Sequence, residues 1–292
     1  MDLSYNQKKF IKRNVRRIAL SEIATILGLS QEQVKEYLKE RWGEEKYEHF
    51  LEKHNGVSME NNKSFHQKLS FFVFIKKYWY VFAFLAVLVI TTYFNSLNNE
   101  FVSDDIDGIL KNPQIGNLRM VFANPLYAIY PFVQYMIYKI GGLQPIFFRV
   151  VNIFWHLGSV WLIFIILFYL HGFLIAFFAS SLFAVHPILL ESVTWISGKP
   201  YSQAGLFLLA SFLLYILSDF NNKNKYIKIS FSWLLFCFAV STNPKSVPFP
   251  FILLLFEYIY GNLRKNWKKL FAFFIFILCH AEVKNEKSPK TS

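Results

Sequence analysis

The sequence predicts an all-α membrane protein that crosses the bilayer six or seven times and carries a small helical module at its N-terminus. Of the 292 residues, 54% are apolar, 20% are aromatic and only 17% are charged, whereas soluble domains average about 45–50% apolar and about 25% charged residues. The composition also changes sharply near residue 70, where a polar, highly charged segment gives way to long apolar runs. These observations exclude a disordered chain and disfavour a wholly water-soluble protein.

Six apolar runs predict the membrane-spanning helices, because about 20 mainly apolar residues suffice to cross a bilayer. The second and third runs are separated only by His171 and Gly172, which predicts a tight helical hairpin. A seventh run, Leu270–Cys279, has ten residues and is short for a crossing. The six runs are Phe71–Phe94, Ile146–Leu170, Phe173–Leu190, Ala204–Ser218, Ile227–Ser241 and Val247–Tyr260.

The distribution of Lys and Arg predicts how the chain is oriented. Short cytoplasmic loops collect these residues, and here they concentrate before residue 78 and in the joints at 219–228 and 261–269. We therefore expect an integral, multi-pass protein with a cytoplasmic N-terminus, in the plasma membrane of a prokaryote. The expected segments are a cytosolic module at 1–56, a basic linker at 57–77, a transmembrane domain at 78–280 with its first extracytoplasmic loop at 95–145, and a polar tail at 281–292.

Residues 20–38 predict a helix-turn-helix within the cytosolic module. Ala24, Gly28 and Val34 occupy the positions at which that motif needs a small residue, a turn glycine and a buried β-branched residue. Ser30 is placed to cap the second helix, with Gln33 as its capping-box partner. This spacing therefore indicates a small trihelical module.

The charges of the module disfavour nucleic acid as a partner. The second helix, which would read DNA, carries Glu32, Glu36 and Glu40, and acidic side chains there oppose contacts with phosphate. A basic run precedes the motif and suits anionic lipid and nucleic acid equally well. The preferred interpretation is an adaptor on the inner face of the membrane. The basic residues are Lys8, Lys9, Lys12, Arg13, Arg16 and Arg17.

Three carboxylates, Asp104, Asp105 and Asp107, lie in the long outer loop. Clustered acids can share a divalent metal or act as a general base on a hydroxyl group. The alternative is a solvated loop in which Ser103 or Asp104 caps a short helix. The pattern alone leaves both interpretations open.

Polar residues also follow one face of the second predicted span. Arg149, Asn152 and His156 are spaced by three and four residues, which places them on one side of a helix. Ionisable groups within a span usually face the interior and mark function. Arg149 lies near the outer end, where it either holds a lipid phosphate or extends to the headgroups.

A polar bend is expected at the end of the third span. Pro187 should break that helix and leave His186, Glu191 and Lys199 in a hook at the outer face. Trp195 suits either the interfacial aromatic belt or a platform on which a sugar stacks. The sequence thus predicts that a carboxylate, an imidazole and an amine converge near the long outer loop.

A further cation, Lys245, lies between the fifth and sixth predicted spans, on the side of the acidic loop. It can bind a phosphate group. It can equally well cap the C-terminus of the fifth helix, because cations are favourable at that end of a helix dipole.

Three of these segments together resemble a known family. Phe101–Pro113 (FVSDDIDGILKNP), Gly142–His156 (GLQPIFFRVVNIFWH) and His186–Pro200 (HPILLESVTWISGKP) occur in this order. They resemble the membrane half of the transmembrane-and-tetratricopeptide-repeat protein O-mannosyltransferases, which are GT-C class membrane glycosyltransferases. The resemblance covers about residues 78–260, and it implies a GT-C-like arrangement of six to seven spans.

The resemblance implies that a hexose such as mannose moves from a polyprenyl-phosphate donor to a hydroxyl of a protein or glycan, on the extracytoplasmic face. Asp104 or Asp105 would be the base, and Glu191 would complete the catalytic set. No cofactor is fixed, and if a divalent metal is needed, Asp105 and Asp107 are the pair expected to hold it. The residues expected to bind substrate are Arg149, Asn152, His156, His186, Trp195, Lys199 and Lys245.

The chain also departs from this family. Members usually carry an arginine before the proline of the outer-loop helix and often an acid after the lysine near 245, where this chain has Asn124 and Ser246. They continue with more spans and tetratricopeptide repeats. The chain is therefore interpreted as a truncated or minimal member. The alternative function is a noncatalytic membrane anchor or assembly subunit that displays the helix-turn-helix module to a cytosolic partner.

Overall fold

The structure, a computed structural model, describes residues 3–15, 20–50, 71–220, 224–260 and 263–286. All regular elements within these ranges are helices. The chain forms two compact units, Met1–Phe72 and Val73–Ser292. Most of the predicted basic linker, part of the polar tail, and Arg16 and Arg17 lie outside the described residues.

The first unit contains helices α1 (Tyr5–Asn14), α2 (Leu20–Leu27) and α3 (Gln31–Trp42), and residues 44–50 are also helical (α4). The side chain of Ser30 accepts a hydrogen bond from the backbone N–H of Gln33, whose side chain accepts one from the Ser30 N–H. The predicted capping box is therefore confirmed.

A small apolar core holds these helices together. Gly28 adopts a φ of +64°, a left-handed conformation that glycine enters without strain and that turns the chain between α2 and α3. The wider assignment of residues 20–38 as a helix-turn-helix stays a prediction. The buried core residues are Ile11, Val15, Ile23, Ala24, Val34, Leu38 and Tyr47.

The second unit begins with α5 (Phe71–Tyr93), which continues as a 3-10 helix over Phe94–Asn98. The long segment that follows, residues 99–144, keeps the name outer loop from its expected position. It contains a π-helical turn (Ile106–Leu110), α6 (Leu118–Val121), a 3-10 turn (Pro125–Tyr127) and α7 (Ile129–Gly141). The remaining long helices are α8 (Pro145–His171), α9 (Phe173–Val185), α11 (Lys199–Phe220), α12 (Lys225–Thr242), α13 (Phe249–Ile259) and α14 (Leu263–Glu286).

Two predicted breaks between helices are confirmed. Gly172, with a φ of +85°, separates α8 from α9 at the predicted hairpin. Pro187 ends α9 because its ring cannot continue the helix, and it begins a 3-10 turn (Pro187–Leu189) followed by α10 (Leu190–Thr194). The axis bends by 50° at this break. A further 3-10 turn, Ile196–Gly198, leads into α11.

Three helical segments within the described residues are long and apolar enough to cross a membrane, namely Val73–Asn98, Pro145–His171 and Ile196–Ser218. A fourth is obtained if α9 and the segment after Pro187 act as one broken span. A helix of 11 residues such as α13 is about 17 Å long, whereas the hydrocarbon core is about 30 Å thick. The count of six or seven spans stays a prediction.

The outer loop packs onto one end of the helical bundle through an apolar core of its own. Ile109 and Ile115 of the loop and Ile137 of α7 are buried against Phe148 at the start of α8 and Ile196 before α11. Close-packed side chains of this kind fix the path of a loop. The loop is therefore held against the segment that follows Pro187.

Candidate active site

Asp105 joins the outer loop to the turn before α11. Its carboxylate is fully buried. Its Oδ1 atom accepts hydrogen bonds from the backbone N–H of Ser197 at 2.8 Å and from the Ser197 hydroxyl at 2.5 Å, and Oδ2 accepts one from the Val102 N–H at 3.3 Å. A carboxylate enclosed in this way orients the two segments and does not face solvent.

Arg149 joins the same two segments from α8. Its side chain is only 2% exposed, and its guanidinium donates to the carbonyl oxygens of Asn99 at 3.2 Å, Glu100 at 2.6 Å and Thr194. The expectation that Arg149 extends to the headgroups is therefore not met, and its binding of a lipid phosphate stays a prediction. Its Nε, Nη1 and Nη2 atoms are already used by backbone carbonyls.

Asn152 completes what we call the polar junction, formed by Asp105, Arg149, Asn152 and Ser197. One turn beyond Arg149, its Nδ2 donates to the carbonyl oxygen of Trp195 at 3.1 Å. Side chains of the loop and of α8 thus bind the backbone between Thr194 and Ser197. The predicted meeting of the acidic loop with the segment after Pro187 is present in the structure.

Tyr130 brings α7 to the polar junction. Gln134 donates a hydrogen bond to the Tyr130 hydroxyl. Burial raises the pKa of the Tyr130 phenol well above its ordinary value, and the negative charge of nearby Asp105 raises it further. The phenol therefore stays protonated at physiological pH and presents a neutral hydroxyl beside the acidic loop.

The three adjacent acids lie in different environments. Asp104 is exposed directly beside the buried Asp105, and it follows Ser103, whose φ of +51° is strained for a residue with a side chain. Asp107 is exposed and pairs with Lys111 at 3.4 Å. Strained backbone often occurs at functional sites, which singles out Asp104 among the three.

The described residues do not contain a group of three or more His, Cys, Asp or Glu side chains that could hold a metal ion. Asp105 is enclosed by Ser197 and Val102, while Asp107 lies at the surface. The predicted pairing of these two carboxylates on a divalent metal does not fit these positions.

The three residues of the predicted hook, His186, Glu191 and Lys199, differ in exposure. His186 and Glu191 are exposed, while Lys199 is fully buried. The Nδ1 atom of His186 accepts from the Ile188 N–H at 3.2 Å and caps the 3-10 turn at Pro187. The spacing along the sequence could not predict this difference in exposure, because the side that each residue faces depends on the turns after Pro187.

His156 is a packing residue at the interface between helices. It is buried, and its Nε2 atom lies 3.1 Å from the carbonyl oxygen of Ala184 in α9. Its ring also contacts the edge of Tyr93 in α5, with 5.2 Å between ring centroids. Although His156 lies on the predicted face of α8, it joins helices two turns away from Arg149.

Lys199 belongs to a group of buried polar atoms without hydrogen-bond partners among the described residues. Its Nζ atom lies 5.9 Å from the centroid of the Phe148 ring. Gln203 is one turn further along α11, and both of its amide atoms lack partners. The same holds for Asn152 Oδ1, Trp155 Nε1 and Trp195 Nε1. We call these five residues the buried donor set.

The buried donor set lies between α8 and α11, which pack closely against each other. Four of its six polar atoms can donate hydrogen bonds, so the set favours a ligand rich in acceptors, such as an anion. Leaving such groups unpaired is costly, which is why a buried unpartnered lysine indicates a binding site more strongly than an exposed one. Gln203 was missed in the sequence, although its spacing of four from Lys199 in an apolar helix was visible.

Lys245 lies at the same end of α11. Its Nζ atom donates to the hydroxyl of Tyr201 at 2.9 Å and lies 4.9 Å from the centroid of that ring. The hydrogen bond to Tyr201 raises the pKa of Lys245, so this exposed amine remains cationic at neutral pH. Lys245 does not cap α12 with its side chain, since its ammonium group is directed to α11.

Gly198 allows the turn at Ser197 to close, and Gly198→Ala tests this. A Cβ atom at residue 198 would lie 2.6 Å from the carbonyl oxygen of Glu191, so we expect Gly198→Ala to lower the free energy of unfolding by about 1–3 kcal/mol. The matched control is Gly205→Ala in α11, where nothing lies within 4 Å and alanine should stabilise the helix by about 0.5–1 kcal/mol. Denaturant unfolding in detergent would measure the free energy of unfolding of both variants. Equal changes in the two would contradict the close approach of Gly198 to Glu191.

A second buried polar cluster lies at the other end of α11. Glu257 is fully buried, and its carboxylate accepts from the Tyr215 hydroxyl at 2.6 Å and from Asn266 Nδ2 at 2.9 and 3.0 Å. Lys269 donates to Ser218 at 3.2 Å. Because Tyr215 is 16 residues from Lys199, about 24 Å along the helix, this cluster is separate from the polar junction. Glu257, a single acid in an apolar run, was not predicted as a functional or structural residue from the sequence.

Glu257→Ala is expected to destabilise the second unit. Removing the carboxylate leaves the buried groups of Tyr215 and Asn266 without their acceptor, at a cost of about 2–4 kcal/mol. Glu100→Ala is the control, because the Glu100 side chain is exposed and its loss should have little effect. Thermal unfolding in detergent should show a large fall in the unfolding temperature only for Glu257→Ala. Equal falls for the two variants would show that the hydrogen bonds of Glu257 do not stabilise the second unit.

The second unit contains three or four helical segments that are long and apolar enough to cross a membrane, and the polar junction places ionisable side chains at one end of these helices. The chain is similar to the protein O-mannosyl-transferase F38B6.6 of Caenorhabditis elegans, with 25% identity over 219 residues that cover 66% of this chain and 30% of that protein. It therefore spans about 30% of the length of this curated relative. No protein-family model and no solved structure matches the chain. The similarity supports a distant relationship to a glycosyltransferase.

Proposed function

We propose that this protein is a membrane glycosyltransferase of the GT-C class that moves a hexose from a polyprenyl phosphate to a hydroxyl of a protein or glycan. The observation that carries the proposal is the position of exposed Asp104 next to the polar junction, at the end of the bundle that holds the buried, unpartnered Lys199. A base and a cation at one end of a bundle are what transfer from a lipid phosphate requires.

Asp104 is the proposed general base. In the transfer, the acceptor oxygen attacks the anomeric carbon of the sugar while the bond from that carbon to the phosphate oxygen breaks. The acceptor proton passes to the Asp104 carboxylate, and the bonding electrons leave with the polyprenyl phosphate. Asp105 is less suited to this role because its oxygens are held by Ser197 and Val102. It is instead a positioning residue for the loop.

The buried donor set is proposed to receive the phosphate. Lys199 would neutralise the charge that develops on the leaving group, and the N–H groups of Gln203 and Trp195 would supply further hydrogen bonds. Such donors stabilise the transition state most when they are fixed in advance in a water-poor site. Lys245 is exposed at the same end and would attract the anionic donor.

The remaining predicted residues would act around this centre. Glu191 and His186 are exposed after the break at Pro187 and are free to contact the acceptor or the sugar hydroxyls. Trp195 is half-buried, and its ring would pack against the sugar. Arg149 would act indirectly, by orienting the backbone of Asn99, Glu100 and Thr194 to which it donates hydrogen bonds. The protein is proposed to cross the membrane six or seven times with its N-terminus in the cytoplasm, and the site is proposed to face the extracytoplasmic side.

The direct test is transfer by the purified protein in liposomes that contain a labelled polyprenyl-phosphate hexose. We expect label to leave the lipid fraction and to appear on a hydroxyl-bearing acceptor peptide or glycan. A donor that remains intact with every such acceptor would contradict the proposal. Labelling of Asn98→Cys from each side of the membrane tests the orientation separately, and reaction from the cytoplasmic side alone would contradict an extracytoplasmic site.

A further inference from the structure

Helix α1 of the first unit presents a basic face with one aromatic residue. Tyr5, Lys9, Lys12 and Arg13 are all exposed, and the side chain of Tyr5 is 78% exposed. Their spacings of four, three and one place them on one side of the helix, opposite the fully buried Ile11. The fold therefore uses one side of α1 for the core and leaves the other side to solvent.

The described part of the chain contains no ion pair between an acidic side chain and Lys9, Lys12 or Arg13. Lys9 instead lies over the ring of Tyr5, with 6.0 Å from its Nζ atom to the ring centroid. An exposed tyrosine among cations is typical of groups that lie at the boundary between lipid headgroups and water.

The first unit is covalently tethered to the first segment that can span a membrane. Phe50 ends the described part of the first unit, and α5, which continues into the first membrane-spanning segment, begins at Phe71. The 20 residues between them reach at most about 70 Å when fully extended. Tethering of this kind raises the effective concentration of weak binding groups at the surface.

We propose that the face formed by Tyr5, Lys9, Lys12 and Arg13 binds the anionic phospholipid headgroups of the membrane that α5 enters. The ammonium and guanidinium groups meet lipid phosphates, and the ring of Tyr5 lies at the level of the headgroups. The interaction is electrostatic at an exposed surface and weakens as salt rises. It is independent of sugar transfer and concerns a surface that the transferase proposal does not use.

Nucleic acid is the competing partner, and the module suits it less well. Reading DNA would require α3 to enter a groove, and Glu32, Glu36 and Glu40 are exposed on that helix. These acids would meet the phosphates of both strands. A lipid surface needs only α1, so the acids of α3 can remain in solvent.

The test uses the full chain in nanodiscs, with a fluorophore on Asn6→Cys in a background in which Cys237 and Cys279 are serine. Quencher groups on the lipid headgroups report the approach of α1. We expect quenching to rise severalfold when phosphatidylglycerol is added to phosphatidylcholine, and to return to the phosphatidylcholine value at high salt. Quenching that is the same in both lipid mixtures would overturn the proposal.

A matched pair of variants locates the binding face. The double variant Lys9→Glu and Lys12→Glu should abolish the response to phosphatidylglycerol, whereas Lys35→Glu and Lys46→Glu, with the same change in charge elsewhere on the module, should retain it. Equal loss in both variants would refute a specific face on α1. A different outcome would assign the face to nucleic acid. In that case the unmodified protein would bind labelled duplex DNA tightly and show no response to phosphatidylglycerol, and only the Lys9→Glu and Lys12→Glu variant would lose the DNA binding.

Discussion

Asp104→Asn is expected to lower sugar transfer by about 10²–10⁴-fold, the usual contribution of a general base, and to leave the stability of the protein unchanged. The amide has nearly the shape of the carboxylate but cannot accept the acceptor proton. Asp104 is exposed, and its side chain is not part of the packing core. Transfer rates in liposomes and thermal unfolding in detergent measure the two effects.

Two neighbouring substitutions of the same kind are controls for Asp104→Asn. Asp107→Asn should retain nearly full transfer, because Asp107 is exposed and its partner is the surface residue Lys111. Asp105→Asn should lose both activity and about 1.5–3 kcal/mol of stability, since charge-assisted hydrogen bonds to Ser197 are lost. If Asp105→Asn were inactive but stable while Asp104→Asn stayed active, the roles assigned to the two residues would be reversed.

Lys199→Met should abolish transfer without destabilising the fold. The amine of Lys199 is buried without a hydrogen-bond partner among the described residues, and leaving a buried polar or charged group unpaired is unfavourable. Replacement by an apolar side chain of similar length should therefore leave the stability unchanged or raise it by about 1–4 kcal/mol. Transfer should fall by about 10²–10³-fold, as when one donor to a developing anion is removed.

The Lys199→Met substitution is informative because its expected effects on transfer and on stability have opposite directions. Lys245→Met is the control, because its cation is exposed and should influence donor capture without stabilising the leaving group. We expect Lys245→Met to lose less transfer activity than Lys199→Met, and a higher concentration of the lipid donor should restore the activity. Full activity of Lys199→Met would show that the buried donor set does not receive the phosphate.

Local features of the fold were predictable from the sequence because they depend on a few neighbouring residues. The cap at Ser30, the hairpin at Gly172 and the break at Pro187 each follow from the chemistry of one or two side chains. The sequence pattern placed the segment after Pro187 near the outer loop, but the contact of Asp105 with Ser197, 92 residues later, was not predicted. No periodicity in either segment encodes it.

The partners of buried cations were not predictable. Arg149 was expected to meet a lipid, yet its donors are used by carbonyl groups of the outer loop, whose path depends on the packing of Ile109, Ile115 and Ile137. Lys199 was expected in a polar hook with His186 and Glu191 and is fully buried, whereas those two residues are exposed. Both outcomes depend on tertiary packing rather than on spacing along the chain.

The polar junction is the central claim, and a double-mutant cycle between Asp105 and Ser197 tests it most directly. Denaturant unfolding of Asp105→Ala, Ser197→Ala and the double variant gives the coupling free energy. We predict a coupling of about 0.5–3 kcal/mol, as found for residues in contact. Effects that add to within about 0.3–0.5 kcal/mol, as for distant sites, would show that the acidic loop and the turn before α11 do not meet.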